Sequence, residues 1–208
     1  MYLFSMLAMP LSFLAILAWT TGGSEAIWRS FARGALFGIP SVVIWLMARP
    51  LFTPLWGSPL LVLGFLLRYW ILPLGLTTLA YELSTGLSGL ARGADYRRFA
   101  AFTFGSMTMF GLAQTIQSWG NPSRVYALLV PLLLVSSSMA YPSLVEEAAK
   151  DGMPGALKYA ALAVAASLLG ALAVSLFFMR LEWLGGIVSV LFLAGTGYLG
   201  ARTLLKGA

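Results

Sequence analysis

Long segments without a charged residue constrain the fold of this chain more than any other feature. Five of them contain no Asp, Glu, Lys or Arg: Met1–Ser24, Phe99–Ser123, Val125–Val145, Tyr159–Met179 and Trp183–Ala201. Each is close to, or longer than, the about 20 residues that an α-helix needs to cross a bilayer. Because hydrocarbon offers the backbone no hydrogen-bond partners, such segments cross as helices that satisfy their own N–H and C=O groups.

Two less regular segments raise the number of predicted spans to seven. Gly34–Ala48 is uncharged and ends before Arg49 and Pro50, and a third helix over about Pro59–Tyr81 contains Arg68 as its charged residue. We therefore predict an all-α fold, a polytopic transmembrane helical bundle that forms a single domain over residues 1–208. Its spans are predicted at about 2–20, 34–52, 59–81, 99–119, 125–145, 159–179 and 183–203.

Loop charges predict the orientation of the bundle. With the N-terminus outside, the inner loops and tail carry nine basic residues: Arg29, Arg33, Arg92, Arg97, Arg98, Lys150, Lys158, Arg202 and Lys206. The outer loops carry three: Arg49, Arg124 and Arg180. Since cytoplasmic loops are enriched in Lys and Arg, we expect an N-out, C-in protein of a bacterial-type inner membrane. Residues 1–20 lack the basic start of a cleavable signal peptide, so the first segment is predicted to remain as a span.

The absence of two residue types argues against an enzyme. The chain has no His and no Cys, which removes imidazole bases, thiol nucleophiles and the commonest metal ligands. Asp95 and Asp151 both fall in predicted inner loops, where they cannot form an intramembrane pair. We therefore predict no catalytic residue, no metal and no cofactor. The net charge of +6 is typical of loops that face anionic lipid, so we expect no nucleic-acid partner.

Several short motifs are similar to elements of known protease families, but each family needs a histidine that this chain lacks. The GLSG segment at residues 86–89 and the WR pair at residues 28–29 resemble elements of rhomboid proteases, whose serine requires a histidine base. The EEAAK segment at residues 146–150 and the FMRLE segment at residues 178–182 resemble elements of PrsW-type membrane proteases. We interpret GLSG as a Gly/Ser turn and EEAAK as a charged helix end.

A recognisable order of segments extends over about Leu60–Met179. A charged inner loop precedes the fourth span, and a helix with Pro131 and Pro142, an acidic Gly-containing loop and an Ala/Leu-rich helix follow. This order is similar to that of bacterial Yip1-type proteins, which are compact multi-span proteins without a known catalytic centre. The resemblance implies a helical membrane protein that is not an enzyme.

Polar residues within the predicted spans are the first set of candidates for function. Arg68 lies about nine residues into the third helix, where an ionisable side chain is costly and suggests a function. If that helix begins nearer Leu66, Arg68 is an outer anchor and Glu82 lies deeper. On the fourth helix Gln114 and Gln117, the expected partners of Arg68, belong to a polar stripe that lines a hydrated path or bonds to neighbouring helices. The stripe consists of Thr103, Ser106, Gln114, Gln117 and Ser118.

Aromatic and basic residues beside two predicted inner loops form the second set of candidates: Trp28, Arg29, Arg33, Arg97 and Arg98. Ser24 and Glu25 predict the cap and first turn of a short helix that carries the first three of these residues. Trp and Arg at this level anchor a protein in the headgroup layer, where they contact anionic lipid or a protein partner.

Two functions are consistent with these sequence features. The first is a non-enzymatic carrier, channel or lipid-handling protein for a small anionic or amphipathic solute. The alternative is a non-transporting subunit or scaffold that packs against other membrane proteins through small-residue faces of its sixth and seventh helices. Membrane lipids are expected partners in both cases. The small-residue faces consist of Ala163, Ser167, Ala171, Ser175, Gly185, Gly186, Ser189, Gly197 and Gly200.

The predicted orientation determines where reporter fusions are found. Because basic residues are retained on the inner side, fusions are expected in the cytoplasm after Arg33, Arg98, Lys158 and Lys206. Fusions are expected outside after Trp56, Asn121 and Glu182. Alkaline phosphatase and a fluorescent protein that matures only in the cytoplasm, fused in turn at each position, report the two locations. A reversed result at any one position contradicts the seven-span arrangement.

Overall fold

The computed structural model describes residues 24–52, 60–86, 96–118, 129–150 and 152–205, and in these ranges its regular structure is entirely helical. The helices in chain order are α1 (Glu25–Ala48), α2 (Leu60–Thr85), α3 (Tyr96–Gln117), α4 (Val130–Lys150), α5 (Gly152–Phe178) and α6 (Glu182–Leu205). Four stretches are long and apolar enough to cross a membrane: Glu25–Leu51, Leu60–Thr85, Leu157–Phe178 and Glu182–Gly200. This confirms an all-helical fold with several candidate spans. The first predicted span, at 2–20, lies outside the described residues.

Helix α1 corrects the prediction of a short interfacial helix followed by a separate second span. Residues 25–48 form one continuous helix, because arginine favours helix and its long side chain reaches polar surroundings without a break in the backbone. Ser24 stands at the N-cap as predicted, but its side chain makes no capping hydrogen bond. The helix ends before Pro50, as predicted, and a 3₁₀ turn, Arg49–Phe52, follows it.

Helix α2 contains a π-helical turn, Leu67–Ile71, that Pro73 explains. Proline has no N–H, and its ring clashes with the carbonyl four residues earlier in a regular α-helix. The Leu72 N–H bonds to the Leu67 carbonyl, five residues back, instead of the α-helical partner four residues back. The carbonyl of Arg68 is therefore released from the backbone ladder.

The C-terminal end of α2 confirms where the predicted Gly/Ser turn begins. Gly86 has a φ of 84°, in the left-handed region that glycine adopts without the steric cost of a Cβ atom. Its N–H bonds to the carbonyl of Glu82 and ends the helix. Ser88, the next polar residue of that motif, lies outside the described residues.

Helices α1 and α3 cross with their backbones in contact. A methyl group added at Gly34 would collide with the carbonyl of Phe102, and one added at Gly105 would collide with the carbonyl of Phe31. Gly38, one turn along α1, packs against the side chain of Met109 and the backbone of Ser106. Small residues four positions apart allow helices to approach this closely. This contact between α1 and α3, the glycine crossing, therefore depends on the absence of a Cβ atom at Gly34, Gly38 and Gly105.

Helix α3 forms the centre of the bundle, because α1, α2 and α4 pack around it. It begins at Tyr96 and was predicted as the fourth span, but it is not among the four stretches that qualify by hydropathy. Protein rather than lipid surrounds it, so that polar residues such as Thr103 and Ser106 are fully buried. Helices α5 and α6 pack against α4, while α6 leaves apolar side chains such as Trp183 and Leu191 exposed, as expected for contact with lipid.

The glycine crossing predicts that alanine destabilises the protein at Gly34 and Gly105 but not at a glycine outside the crossing. Gly34→Ala and Gly105→Ala are each expected to lower the free energy of unfolding by about 1–3 kcal/mol, because the new methyl group forces the two backbones apart. Gly186→Ala is the matched control, since a Cβ atom there meets nothing within 4 Å, and it should leave stability unchanged. Thermal unfolding of the purified proteins in one detergent measures the difference. Equal stability of all three variants would contradict the close crossing.

Candidate functional site

An open cleft of about 500 Å³ lies where the N-terminal part of α1, the end of α2 and the start of α3 meet. Its walls combine positive charge with small polar groups, and this basic cleft is the candidate functional site. The lining residues are Glu25, Ala26, Arg29, Ser30, Arg33, Tyr81, Ser84, Thr85, Arg98 and Phe102.

The charge of the basic cleft is positive. Three guanidinium groups, from Arg29, Arg33 and Arg98, line it beside the single carboxylate of Glu25. Arg29 donates to Glu25 at 2.5 Å, but both side chains are well exposed, so that their ion pair contributes little to stability. Arg33 and Arg98 are also exposed. The cleft therefore offers an accessible, net cationic surface to a ligand.

The structure brings together candidate residues that the sequence placed in two separate loops. Arg29 and Arg33 come from α1, and Arg98 comes from α3. The other two members of that set lie beside the cleft rather than in it. Trp28 is half-buried and packs edge-on against Phe31, and Arg97 is half-buried at the start of α3.

The glycine crossing explains how the arginines of two helices meet. Arg33 precedes Gly34, and Gly34 packs on the carbonyl of Phe102. Arg98 lies four residues, or about one helical turn, before Phe102. Close backbone contact at Gly34 therefore holds the two guanidinium-bearing turns next to each other. The sequence carries one signal for such a contact, the four-residue spacing of Gly34 and Gly38, and the loop charges alone did not indicate it.

A cluster of aromatic side chains adjoins the basic cleft, with Tyr81 and Phe102 among the lining residues. The ring of Tyr81 lies 4.7 Å from that of Phe99 and 5.2 Å from that of Phe102, and the rings of Phe99 and Tyr141 are 6.2 Å apart. The Tyr141 hydroxyl shares a hydrogen bond of 2.9 Å with Thr78. An apolar groove of about 320 Å³, which Tyr141 also lines, lies between α2, α4 and α5.

The residues that the sequence grouped around Arg68 are not all neighbours. The Arg68 guanidinium lies over the ring of Tyr69, with Cζ 5.2 Å from the centroid, and within the described structure it makes no hydrogen bond to Gln114. Gln114 is buried, whereas Gln117 is exposed on another side of α3. Glu82 is half-buried near the opposite end of α2. Since Arg68 is the ninth residue of α2 and Glu82 is three residues from its end, Arg68 lies deeper in that helix.

The polar stripe of α3 makes contacts within the protein. Thr103, Ser106, Gln114 and Ser118 are buried, and the Ser106 hydroxyl shares a hydrogen bond of 2.9 Å with Thr77 of α2. The hydroxyl groups of Ser136, Ser137 and Ser138 on α4 do not face the stripe as partners. They donate to carbonyls of their own helix: Leu133, Leu134 and Val135. The bond between Ser106 and Thr77 joins two helices, as expected if the stripe bonds to a neighbouring helix.

A tryptophan donates a hydrogen bond to the carbonyl that the π-helical turn leaves without a backbone partner. Trp45 is fully buried, and its Nε1–H donates to the backbone carbonyl of Arg68 at 2.6 Å. A buried carbonyl without a partner is costly, so this bond makes the irregular turn possible inside an apolar bundle. Pro73 is a sequence signal for the irregularity, but Trp45 is 23 residues before Arg68 and no local pattern connects them.

Most residues of the two small-residue faces are used within the bundle. Ser167, Ala171, Ser175 and Ser189 are buried, and added methyl groups at Gly185 and Gly200 would meet other helices of the same chain: Phe177 and Met139. Gly186 and Gly197 border open space. Contact with a partner protein through these faces stays a prediction that rests on fewer residues.

The interpretation of the two protease-like motifs stays a prediction. Ser88 and the side chain of Glu146 lie outside the described residues. Among the residues that are described, no three acidic side chains come close enough together to hold a metal ion.

No protein-family model, curated protein or solved structure matches this chain. The similarity to Yip1-type proteins therefore rests on the order of segments alone. The geometry and charge of the basic cleft are the remaining basis for a function.

The bond between Trp45 and the Arg68 carbonyl predicts a coupling between Trp45 and Pro73. Trp45→Phe is expected to lower the free energy of unfolding by about 1–3 kcal/mol, because it leaves a buried carbonyl unpaired. In a Pro73→Ala background the loss should be smaller, because the restored N–H allows α2 to return to the regular ladder. A double-mutant cycle on detergent-purified protein measures the coupling. Equal losses in both backgrounds would contradict the role of Trp45.

Proposed function

We propose that this chain is a non-enzymatic, multi-pass inner-membrane protein that handles anionic lipid by binding its phosphate head group in the basic cleft. One observation carries the proposal: Arg29, Arg33 and Arg98 converge on an open cleft in which Glu25 is the single acid among the lining residues. Guanidinium groups bind phosphate oxygens through paired, charge-assisted hydrogen bonds. A phosphate-bearing head group is therefore the ligand that best complements the cleft.

The position of the cleft favours a lipid over a soluble anion. Two of the three helices that line it, α1 and α2, are long and apolar enough to cross a membrane. Such helices place their end turns at the level of the head groups. The predicted N-out, C-in orientation with seven spans puts this end at the cytoplasmic surface, where anionic lipids create a negative potential.

The aromatic lining of the cleft favours binding over conduction. Tyr81 and Phe102 line the cleft and belong, with Phe99, to one buried cluster. A channel needs a continuous polar path, whereas a head-group site needs only an opening toward the membrane surface. This supports a lipid-handling protein rather than a channel for small anions. The scaffold alternative has less support, because most of its small residues already pack within the chain.

A variant that loses two charges tests the proposal. Arg33→Gln/Arg98→Gln is expected to weaken the binding of phosphatidylglycerol at least about tenfold, because each guanidinium forms charge-assisted bonds to phosphate. The measurement is native mass spectrometry of the purified protein titrated with phosphatidylglycerol or phosphatidylcholine in detergent. Binding of phosphatidylcholine, which has no net charge, should be weaker throughout.

Lys158→Gln/Arg180→Gln is the matched control. It also removes two positive charges, but neither residue lines the cleft, so this variant should bind phosphatidylglycerol as the wild-type protein does. Equal affinity of both double variants for phosphatidylglycerol would contradict head-group binding in the cleft.

A further inference from the structure

The end of α1 opposite the basic cleft approaches a second group of polar side chains, which the proposed lipid binding does not use. Arg49 begins the 3₁₀ turn after α1, Arg68 and Tyr69 lie in the π-helical turn of α2, and Gln114 lies near the end of α3. The 3₁₀ turn and the π-helical turn are in contact. These four residues form the polar core cluster.

Aromatic rings hold the two guanidinium groups of the polar core cluster. The Cζ atom of Arg49 lies 5.8 Å from the ring centroid of Trp45, and that of Arg68 lies 5.2 Å from the centroid of Tyr69. The two ring centroids are 6.2 Å apart. The Tyr69 hydroxyl lies beside Arg49 and Gln114. Both cations are therefore held around one buried tyrosine.

Four buried polar atoms of the cluster make no hydrogen bond of acceptable distance and angle: Arg49 Nε, Arg68 Nε, Tyr69 Oη and Gln114 Oε1. Tyr69 is 0% and Gln114 is 1% exposed. The Ser118 hydroxyl donates to the Gln114 backbone carbonyl and accepts from the Gln114 amide. This arrangement fixes the amide and leaves Oε1 without a donor. Unpaired polar groups are rare in protein interiors, and each one calls for a partner.

The sequence supplies no nearby carboxylate to neutralise the two arginines. Of the seven acidic residues, none lies between Glu25 and Glu82 or between Asp95 and Glu146. Glu182, at the start of α6, is exposed, and in the described part of the chain it forms no ion pair with either arginine. Within the described residues, neither guanidinium group therefore has a carboxylate partner.

We propose that the polar core cluster binds an oxyanion, the carboxylate or phosphate group of a ligand. The planar donors of Arg49 and Arg68 match the paired oxygens of both groups, and the Tyr69 hydroxyl adds a third donor. An anion would neutralise cations that are costly to hold within membrane-spanning helices.

Anion titration of the full-length protein tests the site. The protein in nanodiscs of phosphatidylcholine is titrated with sodium phosphate or sodium acetate, with chloride keeping the ionic strength constant, and the thermal midpoint is recorded. We expect phosphate to raise the midpoint. Arg49→Gln and Arg68→Gln should each weaken the apparent affinity at least about tenfold, and Tyr69→Phe, which removes one hydroxyl, about threefold.

Two further variants control for charge and for folding. Arg180→Gln removes a positive charge from an exposed turn and should leave the response to phosphate unchanged. Arg68→Lys keeps the positive charge but lacks the planar guanidinium group, and it replaces Arg68→Gln in the titration if that variant does not fold. We expect Arg68→Lys to lose less affinity for phosphate than Arg68→Gln.

A lipid head group could supply the same phosphate, and nanodiscs that contain phosphatidylglycerol distinguish this source. If the ligand is a lipid, native mass spectrometry should show a bound phosphatidylglycerol that Arg68→Gln loses and Arg180→Gln retains, and free phosphate should have no effect. If the ligand is soluble, phosphate alone should suffice. The basic-cleft variant Arg33→Gln/Arg98→Gln should lose only the lipid bound at the cleft. It should keep the response to phosphate, or the bound lipid that Arg68→Gln loses, so that the two sites succeed or fail separately.

Two results would overturn the polar core site. One is a wild-type protein that responds to none of phosphate, acetate and phosphatidylglycerol. The other is an equal response of Arg68→Gln and Arg180→Gln to the ligand that stabilises the wild-type protein.

Discussion

The rest of the structure depends on the backbone contact between α1 and α3. Gly34 and Gly105 have no side chains, so that each helix packs directly on a carbonyl of the other, at Phe102 and Phe31. In lipid, where burial of apolar surface does not drive association, such close packing is a principal attraction between helices. The contact places α3 at the centre of the bundle and aligns the arginines that line the basic cleft.

The interior of the bundle places a second constraint on the chain, because its polar groups must find partners inside the protein. Pro73 interrupts the ladder of α2, and Trp45 satisfies the carbonyl that is released. The Ser and Thr hydroxyl groups of α4 and α6 bond to carbonyls of their own helices. Against this background the four unpaired atoms around Tyr69 stand out, because they lie together in one cluster of side chains.

The two proposed sites lie toward opposite ends of α1, and their cations have different surroundings. At the basic cleft, cations are exposed and one of them already pairs with Glu25. At the polar core cluster, cations lie against aromatic rings and the tyrosine among them is fully buried. Exposed guanidinium groups favour a mobile lipid head group, whereas half-buried ones beside a buried tyrosine favour a ligand that is enclosed. The proposed sites therefore differ in the ligands to which they are accessible.

The sequence by itself determined the helical class and the approximate position of each described helix, because apolar length and the distribution of charge are local properties of the chain. It did not determine that Arg33 and Arg98 share a cleft, that Gln117 faces away from Gln114, or that α1 is continuous. Those features depend on which helix faces are covered. Only tertiary packing decides that, since contacts such as those of Gly34 with Phe102 join residues distant in the chain.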